Sequence, residues 1–214
     1  MNHTNFETAT FAMGCFWSPD ALFGSVGGVV RTRVGYAGGT TANPTYWTLA
    51  DHIETVQFDY DPAQISYQDL LNIFFASHKA TREPWKRQYM SAVFYHSQEQ
   101  EKLVTEAKQQ EEEQLGKQLF SAIYPLKAFY LAEDRHQKYK LQRQPLLLEE
   151  LQEQFTTFSD FVNATTTAKI NSYLYGHGNR EKLLQEISSF GLSPVAQELL
   201  LQNANAPKEI RCNG

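Results

Sequence analysis

The sequence predicts an α/β protein: an α+β sandwich with a ferredoxin-like mixed sheet flanked by helices, followed by a helical C-terminal extension. Segments of alternating polarity, typical of half-buried strands, are separated by segments with apolar residues at helical spacing. The glycine patterns of dinucleotide-binding and P-loop parallel sheets are absent, which favours a mixed sheet. From about Pro145 the composition changes to short helical segments punctuated by glycines. We therefore expect one core domain over residues 1–144 and a helical extension over residues 145–214.

The predicted strands are short apolar or alternating segments. The first, Thr8–Met13, consists of small and apolar residues, and Gly14 ends it. The others are Val29–Tyr36, Ile53–Tyr60, Ser91–Tyr95 and a strand-like region, Phe120–Tyr130, around Pro125.

The predicted helices carry recognisable start signals. Pro19 and Asp20 suit the first turn of a helix that follows Gly14. Ser66 is placed to cap the helix SYQDLLNIFFASH, and Gln98–Leu115 has the composition of a charged surface helix. The helical segments of the extension are LLLEELQEQF, DFVNATTTAKINSYLYG and REKLLQEISSFGLSPVAQELLLQ, and the last residues, NANAPKEIRCNG, are expected to form a mobile tail.

Composition excludes several classes of function. The chain has 214 residues, 42% of them hydrophobic, and a net charge of −5, which argues against nucleic acid as a partner. No apolar run approaches the ~20 residues that cross a membrane, and the first residues lack the features of a secretory signal. Two cysteines do not form a disulfide framework. We expect a cytoplasmic, monomeric protein.

Cys15 is the first candidate for chemistry. It lies in ATFAMGCFWSPDALF, between a predicted strand that ends at Gly14 and a predicted helix. The positive end of a helix dipole favours a thiolate, which is the nucleophilic form of cysteine. A buried structural cysteine is the alternative. Phe16 and Trp17 could form an apolar cage for a substrate methyl group beside this thiol, or could be ordinary core residues.

Three oxygen-bearing side chains are further candidates. Glu54 starts a predicted strand among apolar residues, and a buried carboxyl could donate a proton near neutral pH. A surface glutamate paired with His52 or a lysine is the alternative. Tyr46 and Tyr89 could donate hydrogen bonds to a developing oxyanion, although each is one of 11 tyrosines.

Known metal and hydrolase motifs do not fit. The His52–Glu54 pair lacks the P-C-x-x-C that a zinc deaminase requires, and the six histidines are scattered. The G-x-S-x-G elbow of hydrolases is also missing.

Taken together in order, the motifs resemble a known family. From about Phe11 to Tyr139, the chain is similar to the A family of peptide methionine sulfoxide reductases. The motifs that carry the resemblance are GCFW, VGYAGG, NPTY, H-x-E-x-V, YDP, ISY, FFxxH, QYxSAVFY and FYLAEDRHQKY.

The resemblance implies an α/β sandwich fold and a role for each candidate. Cys15 matches the nucleophile that attacks the sulfoxide sulfur, and Glu54 matches the acid that protonates its oxygen. Tyr46 and Tyr89 match the tyrosines that hydrogen-bond this oxygen. The two residues that match the aromatics around the substrate methyl group are Phe16 and Trp17.

The implied reaction reduces the S epimer of methionine sulfoxide, free or in oxidised proteins, to methionine. A sulfenic acid on Cys15 would be recycled by a thioredoxin-type reductant. No metal or organic cofactor would be needed.

Two positions depart from the family. The family reads G-N-D-x-G-T-Q-Y-R-S where this chain has REPWKRQYMS, so that Pro84 occupies the usual aspartate position and Lys86 the usual glycine position. Glu83 is adjacent and could replace the aspartate if the loop is shifted. The usual resolving cysteine is also missing, and the second thiol, Cys212, lies near the C-terminus. About ten extended residues span up to roughly 35 Å, so Cys212 could reach Cys15. A passive tail cysteine is the alternative, since some members of the family use no internal resolving thiol.

Two other functions compete with the reductase. An inactive relative could bind oxidised methionine or a partner helix without turnover, or a redox sensor could use Cys15 and Cys212 as a switch pair. The sensor does not account for Glu54 and the two tyrosines together.

Overall fold

Six strands form one mixed sheet within residues 5–204, the part of the chain that the computed structural model describes. Their order across the sheet is β5-β4-β1-β3-β2-β6, with β4 and β5 parallel and the other neighbours antiparallel. The strands are β1 (Glu7–Met13), β2 (Val29–Ala37), β3 (Ile53–Tyr60), β4 (Ser91–Tyr95), β5 (Ala122–Pro125) and β6 (Phe129–Leu131).

Eight α-helices lie within the same residues. They are α1 (Trp17–Gly24), α2 (Tyr67–Ala76), α3 (Gln98–Leu115), α4 (Pro145–Gln152), α5 (Phe158–Val162), α6 (Thr165–Leu174), α7 (Arg180–Glu186) and α8 (Pro194–Asn203). The chain order β1-α1-β2-β3-α2-β4 and the strand order β4-β1-β3-β2 confirm the predicted ferredoxin-like arrangement. None of these helices is long and apolar enough to span a membrane.

Most predicted elements are found within one or two residues of their expected ends. The Ser66 side chain accepts the Asp69 N–H and forms a capping box at the start of α2, as the sequence indicated. The region Phe120–Tyr130 divides at Pro125 into two short strands on opposite edges of the sheet. Proline cannot donate a ladder hydrogen bond, so a strand ends easily there.

The main core lies between the sheet and helices α1 to α3. Phe11 of β1 is at its centre, with ring centroids 5.5 Å from Phe23 of α1, 5.4 Å from Phe58 of β3 and 5.1 Å from Phe74 of α2. These residues are fully buried. The packing fixes α1 against the sheet, and α1 begins beside Cys15.

The helices after Pro145 form a second apolar cluster and pack on α1 through α6. Gly24 of α1 permits this approach, because a Cβ there would lie 2.6 Å from the Ser172 Oγ. The Ser172 hydroxyl donates to the Ala21 carbonyl oxygen at 2.6 Å. Leu141 belongs to the same cluster although it precedes residue 145, so the division at 144 stays a prediction. The sequence predicts a tail, NANAPKEIRCNG, from Asn203, but Asn203 is the last residue of α8. The residues from 205 onward, including Cys212, lie outside the described residues.

A buried ion pair ties these parts together. The Lys138 Nζ lies 3.1 Å from the Asp20 Oδ1, and the two residues are 0% and 1% exposed. The Lys138 ammonium also donates to the Thr32 carbonyl oxygen at 2.6 Å and to the Thr32 Oγ1 at 2.9 Å. The Asn171 amide of α6 donates to the Asp20 Oδ2 at 3.2 Å. This network joins α1, β2, α6 and the segment after β6.

We predict that Lys138→Met destabilises the protein strongly. The substitution leaves the Asp20 carboxylate buried without its cation, which should lower the free energy of unfolding by about 3–5 kcal/mol in chemical denaturation. Lys102→Met is the control, since Lys102 pairs at 3.9 Å with Glu106 on an exposed helix face and should change stability by less than about 0.5 kcal/mol. Equal effects of the two substitutions would contradict a structural role for the buried pair.

Candidate active site

Cys15 lies at a sharp turn between β1 and α1. Gly14 before it has a φ of +90°, a conformation that residues with a side chain rarely adopt, and Phe16 after it is the N-cap of α1. The turn leaves Cys15 partly exposed in the wall of a cavity of about 550 Å³. The alternative of a fully buried structural cysteine is therefore wrong.

Glu54 is buried directly behind this turn. It lies on the same face of β3 as the core residues Val56 and Phe58, because side chains alternate along a strand. One carboxylate oxygen accepts the Phe16 backbone N–H at 3.1 Å, and the other accepts the Gln88 side-chain amide at 2.6 Å. The structure thus excludes a surface pair with His52.

Burial sets the protonation of Glu54. The residue is 2% exposed, and desolvation raises its pKa from 4.5 to about 7. The hydrogen bonds from Gln88 and Phe16, and the charge of Lys86, act in the opposite direction. Close to half of the carboxyl groups are then protonated at neutral pH, which suits a proton donor.

Tyr46 and Tyr89 both line the cavity that contains Cys15. Tyr89 ends a short 3-10 turn, Arg87–Tyr89, that also places Gln88 against Glu54. Burial, a hydrogen bond with Tyr46 and the negative charge of Glu54 hold the pKa of Tyr89 above its usual value. Tyr89 is therefore a phenol near neutral pH and can donate a hydrogen bond into the cavity.

Phe16 and Trp17 lie beside the cavity, and neither contributes to its wall. Phe16 is 1% exposed and packs in a cluster with Val34 and Tyr36. Trp17 stacks on Tyr139 at a centroid distance of 3.5 Å. Their contact with a substrate methyl group stays a prediction.

The segment that departs from the family also contributes to this cavity. Pro84, Lys86 and Glu83 all line it, together with Trp85, whose ring centroid is 5.4 Å from that of Tyr89. Glu83 is exposed, and it makes no hydrogen bond or ion pair with another described residue. Its substitution for the family's aspartate stays a prediction.

Two supporting residues were not found from the sequence. Gln88 holds Glu54, as described above. Glu133 accepts the Tyr46 backbone N–H at 3.0 Å and the Tyr36 hydroxyl at 2.7 Å, and thereby fixes the loop that carries Tyr46. Glu133 lies in the AEDRHQ motif, and this position is the one feature of the sequence that could have indicated its role.

The described residues contain no group of three or more histidine, cysteine, aspartate and glutamate side chains that could hold a metal ion. Near the Cys15 thiol the structure places a carboxyl group of raised pKa, Glu54, and two phenols, Tyr46 and Tyr89.

Comparisons with known proteins point to one family. The family model described as peptide methionine sulfoxide reductase matches residues 7–168. A Drosophila melanogaster peptide methionine sulfoxide reductase is 39% identical over 193 residues, which cover 89% of this chain and 77% of that protein.

Solved structures agree with the sequence comparisons. The structure resembles that of reduced Mxr1 from Saccharomyces cerevisiae with a TM-score of 0.62 and 28% identity, covering 67% of this chain and 88% of Mxr1. It also resembles Mxr1 in complex with Trx2, with a TM-score of 0.50 and 27% identity over 63% of this chain and 86% of that one.

The raised pKa of Glu54 predicts a pH-dependent stability. Between pH 4.5 and about pH 7 the folded protein keeps a proton that the unfolded chain has released. The stability present below pH 4.5 therefore decreases as the pH rises and is lost once the pH has passed about 7. Glu54→Gln removes the charge, so it should stabilise the protein at pH 8 by about 3 kcal/mol and change little at pH 4.5.

Urea denaturation of both proteins at the two pH values measures this difference. Glu106→Gln, at an exposed position of α3, is the matched control and should show no pH-dependent difference. A Glu54→Gln effect that is the same at pH 4.5 and pH 8 would contradict the raised pKa.

Proposed function

The chain belongs to the peptide methionine sulfoxide reductase family, and on that premise we propose that it reduces methionine S-sulfoxide to methionine with Cys15 as the nucleophile. The observation that carries the assignment is the cavity in which the partly exposed Cys15 faces the same space as Tyr46 and Tyr89. The substrate is methionine sulfoxide, free or in oxidised proteins, and the preference for the S epimer follows from the family.

The first step transfers the sulfoxide oxygen to the thiol. Methionine sulfoxide has an electrophilic sulfur and a poor leaving oxygen, so proton donation to the oxygen makes the sulfur open to attack. Glu54 gives its proton to this oxygen, while Tyr46 and Tyr89 donate hydrogen bonds to it. The Cys15 thiolate attacks the sulfur and forms an S–S bond, while the protonated oxygen leaves with both electrons of the S–O bond. This hydroxyl then adds to the Cys15 sulfur, methionine leaves with both electrons of the S–S bond, and Cys15 becomes a sulfenic acid.

A second thiol then regenerates Cys15. Attack of this thiol on the sulfenic acid forms a disulfide and releases water, and a dithiol reductant opens the disulfide by exchange. A thioredoxin-type protein suits this step, and the complex of the relative Mxr1 with Trx2 supports it. Cys212 is the proposed internal resolving thiol, since it is the second of the two cysteines in the sequence.

The geometry favours turnover over the competing functions. A redox sensor needs two thiols but has no use for a buried carboxyl group of raised pKa at hydrogen-bond distance from the turn that carries Cys15. An inactive relative has no need to keep this carboxyl group with both tyrosines. We further propose that the enzyme uses no metal or organic cofactor and acts as a cytoplasmic monomer.

The assignment predicts the behaviour of four variants in single-turnover reduction of resolved methionine sulfoxide epimers. Cys15→Ser should abolish turnover. Glu54→Gln should slow the chemical step by about 10²-fold or more, and Tyr46→Phe or Tyr89→Phe should each slow it by about 10²-fold. Lys102→Gln on α3 is the control and should react like the parent protein. Consumption of neither epimer by the reduced parent protein would refute the proposed function.

The role of Cys212 has its own prediction. After one turnover without external reductant, mass spectrometry should find a Cys15–Cys212 disulfide in the parent protein and a sulfenic acid on Cys15 in Cys212→Ser. Multiple turnover with a thioredoxin-type reductant should be slower in Cys212→Ser, while the single-turnover rate should stay the same. A sulfenic acid in both proteins would assign the resolving step to an external thiol.

A further inference from the structure

The mouth of the Cys15 cavity carries an excess of positive charge. Lys79, Arg82 and Lys86, all from the segment between α2 and β4, line the cavity together with one carboxylate, Glu83. All four side chains belong to exposed residues. The titratable His78 also lines the cavity. Its two ring nitrogens form hydrogen bonds with the Phe74 carbonyl oxygen and the Ser91 hydroxyl, and burial lowers its pKa.

These three cations have no carboxylate partner among the described residues, whereas several other basic residues form ion pairs. Arg31 and Arg33 pair with Asp59, and Lys169 pairs with Glu186. No ion pair joins Lys79, Arg82 or Lys86 to another described residue.

The charge around the cavity mouth is opposite in sign to the net charge of the chain. The net charge is −5, so a random surface patch is expected to be acidic rather than basic. Three cations against one carboxylate leave a local charge of +2 around an opening that leads to Cys15. A cleft lined by one sign of charge attracts ligands of the opposite sign.

We propose that Lys79 and Arg82, with Lys86, select methionine sulfoxide residues that have acidic neighbours in a peptide. This inference rests on the proposed function, because the sulfoxide must reach Cys15. Residues of an extended peptide are about 3.3 Å apart, so side chains one or two positions from the sulfoxide lie at the cavity mouth when the sulfoxide is inside. Their carboxylates then face the long basic side chains.

Lys86 is less suitable for the test than its two neighbours. Its ammonium lies 6.0 Å from the ring centroid of Tyr89, and its charge lowers the pKa of Glu54. A change at Lys86 would therefore alter the proton donor as well as peptide binding. Lys79 and Arg82 are not among the residues that shift the pKa of Glu54.

The experiment compares three peptides that are acetylated and amidated at their ends, so that only side chains differ in charge. Each contains one methionine S-sulfoxide, flanked on both sides by glutamate, by glutamine or by lysine. At low ionic strength, kcat/KM should be about fivefold higher for the glutamate peptide than for the glutamine peptide, and lowest for the lysine peptide. The difference should lie mainly in KM and shrink to less than twofold in 0.5 M salt, where charges are screened.

Variants assign the preference to the cavity mouth. Lys79→Gln/Arg82→Gln should reduce the glutamate-to-glutamine ratio to below twofold, and Lys79→Glu/Arg82→Glu should reverse it in favour of the lysine peptide. The control is Lys102→Gln/Lys117→Gln, which removes the same charge from exposed positions outside the cavity and should retain the parent ratio.

The outcomes separate this inference from the proposed function. Reduction of the glutamine peptide with equal rates for all three peptides would overturn the acidic preference and leave the reductase assignment intact. An equal loss of preference in the control variant would attribute it to net charge and would also overturn the inference. Reduction of none of the peptides by the parent protein would refute the proposed function itself.

Discussion

The buried pair of Asp20 and Lys138 is the interaction on which the arrangement of the molecule depends. Asp20 lies in the helix that begins beside Cys15, and Lys138 lies in the segment that links the sheet to the C-terminal helices. Burying two charges is costly unless each is fully hydrogen-bonded, and here Thr32 and Asn171 complete the shell. Because Asn171 belongs to α6, the same network holds the extension on α1. The extension thus contributes to the position of the turn that carries Cys15.

A second constraint links the sheet to the site. Glu54 lies opposite Tyr36 in the β2–β3 register, and Tyr36 donates its hydroxyl proton to Glu133 in a hydrogen bond. Glu133 in turn accepts the backbone N–H of Tyr46. Two carboxyl groups at one end of the sheet therefore have separate tasks: Glu54 supports the turn at Phe16, and Glu133 supports the loop of Tyr46. Glu54 lies in β3 itself, whereas Glu133 follows β6 and is connected to β2 through its hydrogen bond with Tyr36.

Local patterns were enough to predict the strands and most helices, because alternation and capping act over a few residues. The Ser66 cap and the strand Ile53–Tyr60 are examples. The contacts of Glu54 could not be predicted in this way, since Gln88 is far from it in sequence and reaches it through a turn. The same holds for Lys138, whose full burial depends on packing between three distant segments. The burial of Phe16 also depends on tertiary packing, which a sequence motif does not describe.

The raised pKa of Glu54 connects stability with chemistry. With an ordinary pKa of 4.5, about one carboxyl group in three hundred would be protonated at pH 7, whereas a pKa of about 7 leaves half of them protonated. The proposed reaction needs this proton in the same site as a thiolate, and a strongly acidic donor would be ionised and ineffective. In this proposal the folded protein obtains its donor by burying Glu54, at a cost of about 3 kcal/mol in stability at high pH. The apolar core around Phe11 and the Asp20–Lys138 network hold the surrounding elements in place against that cost.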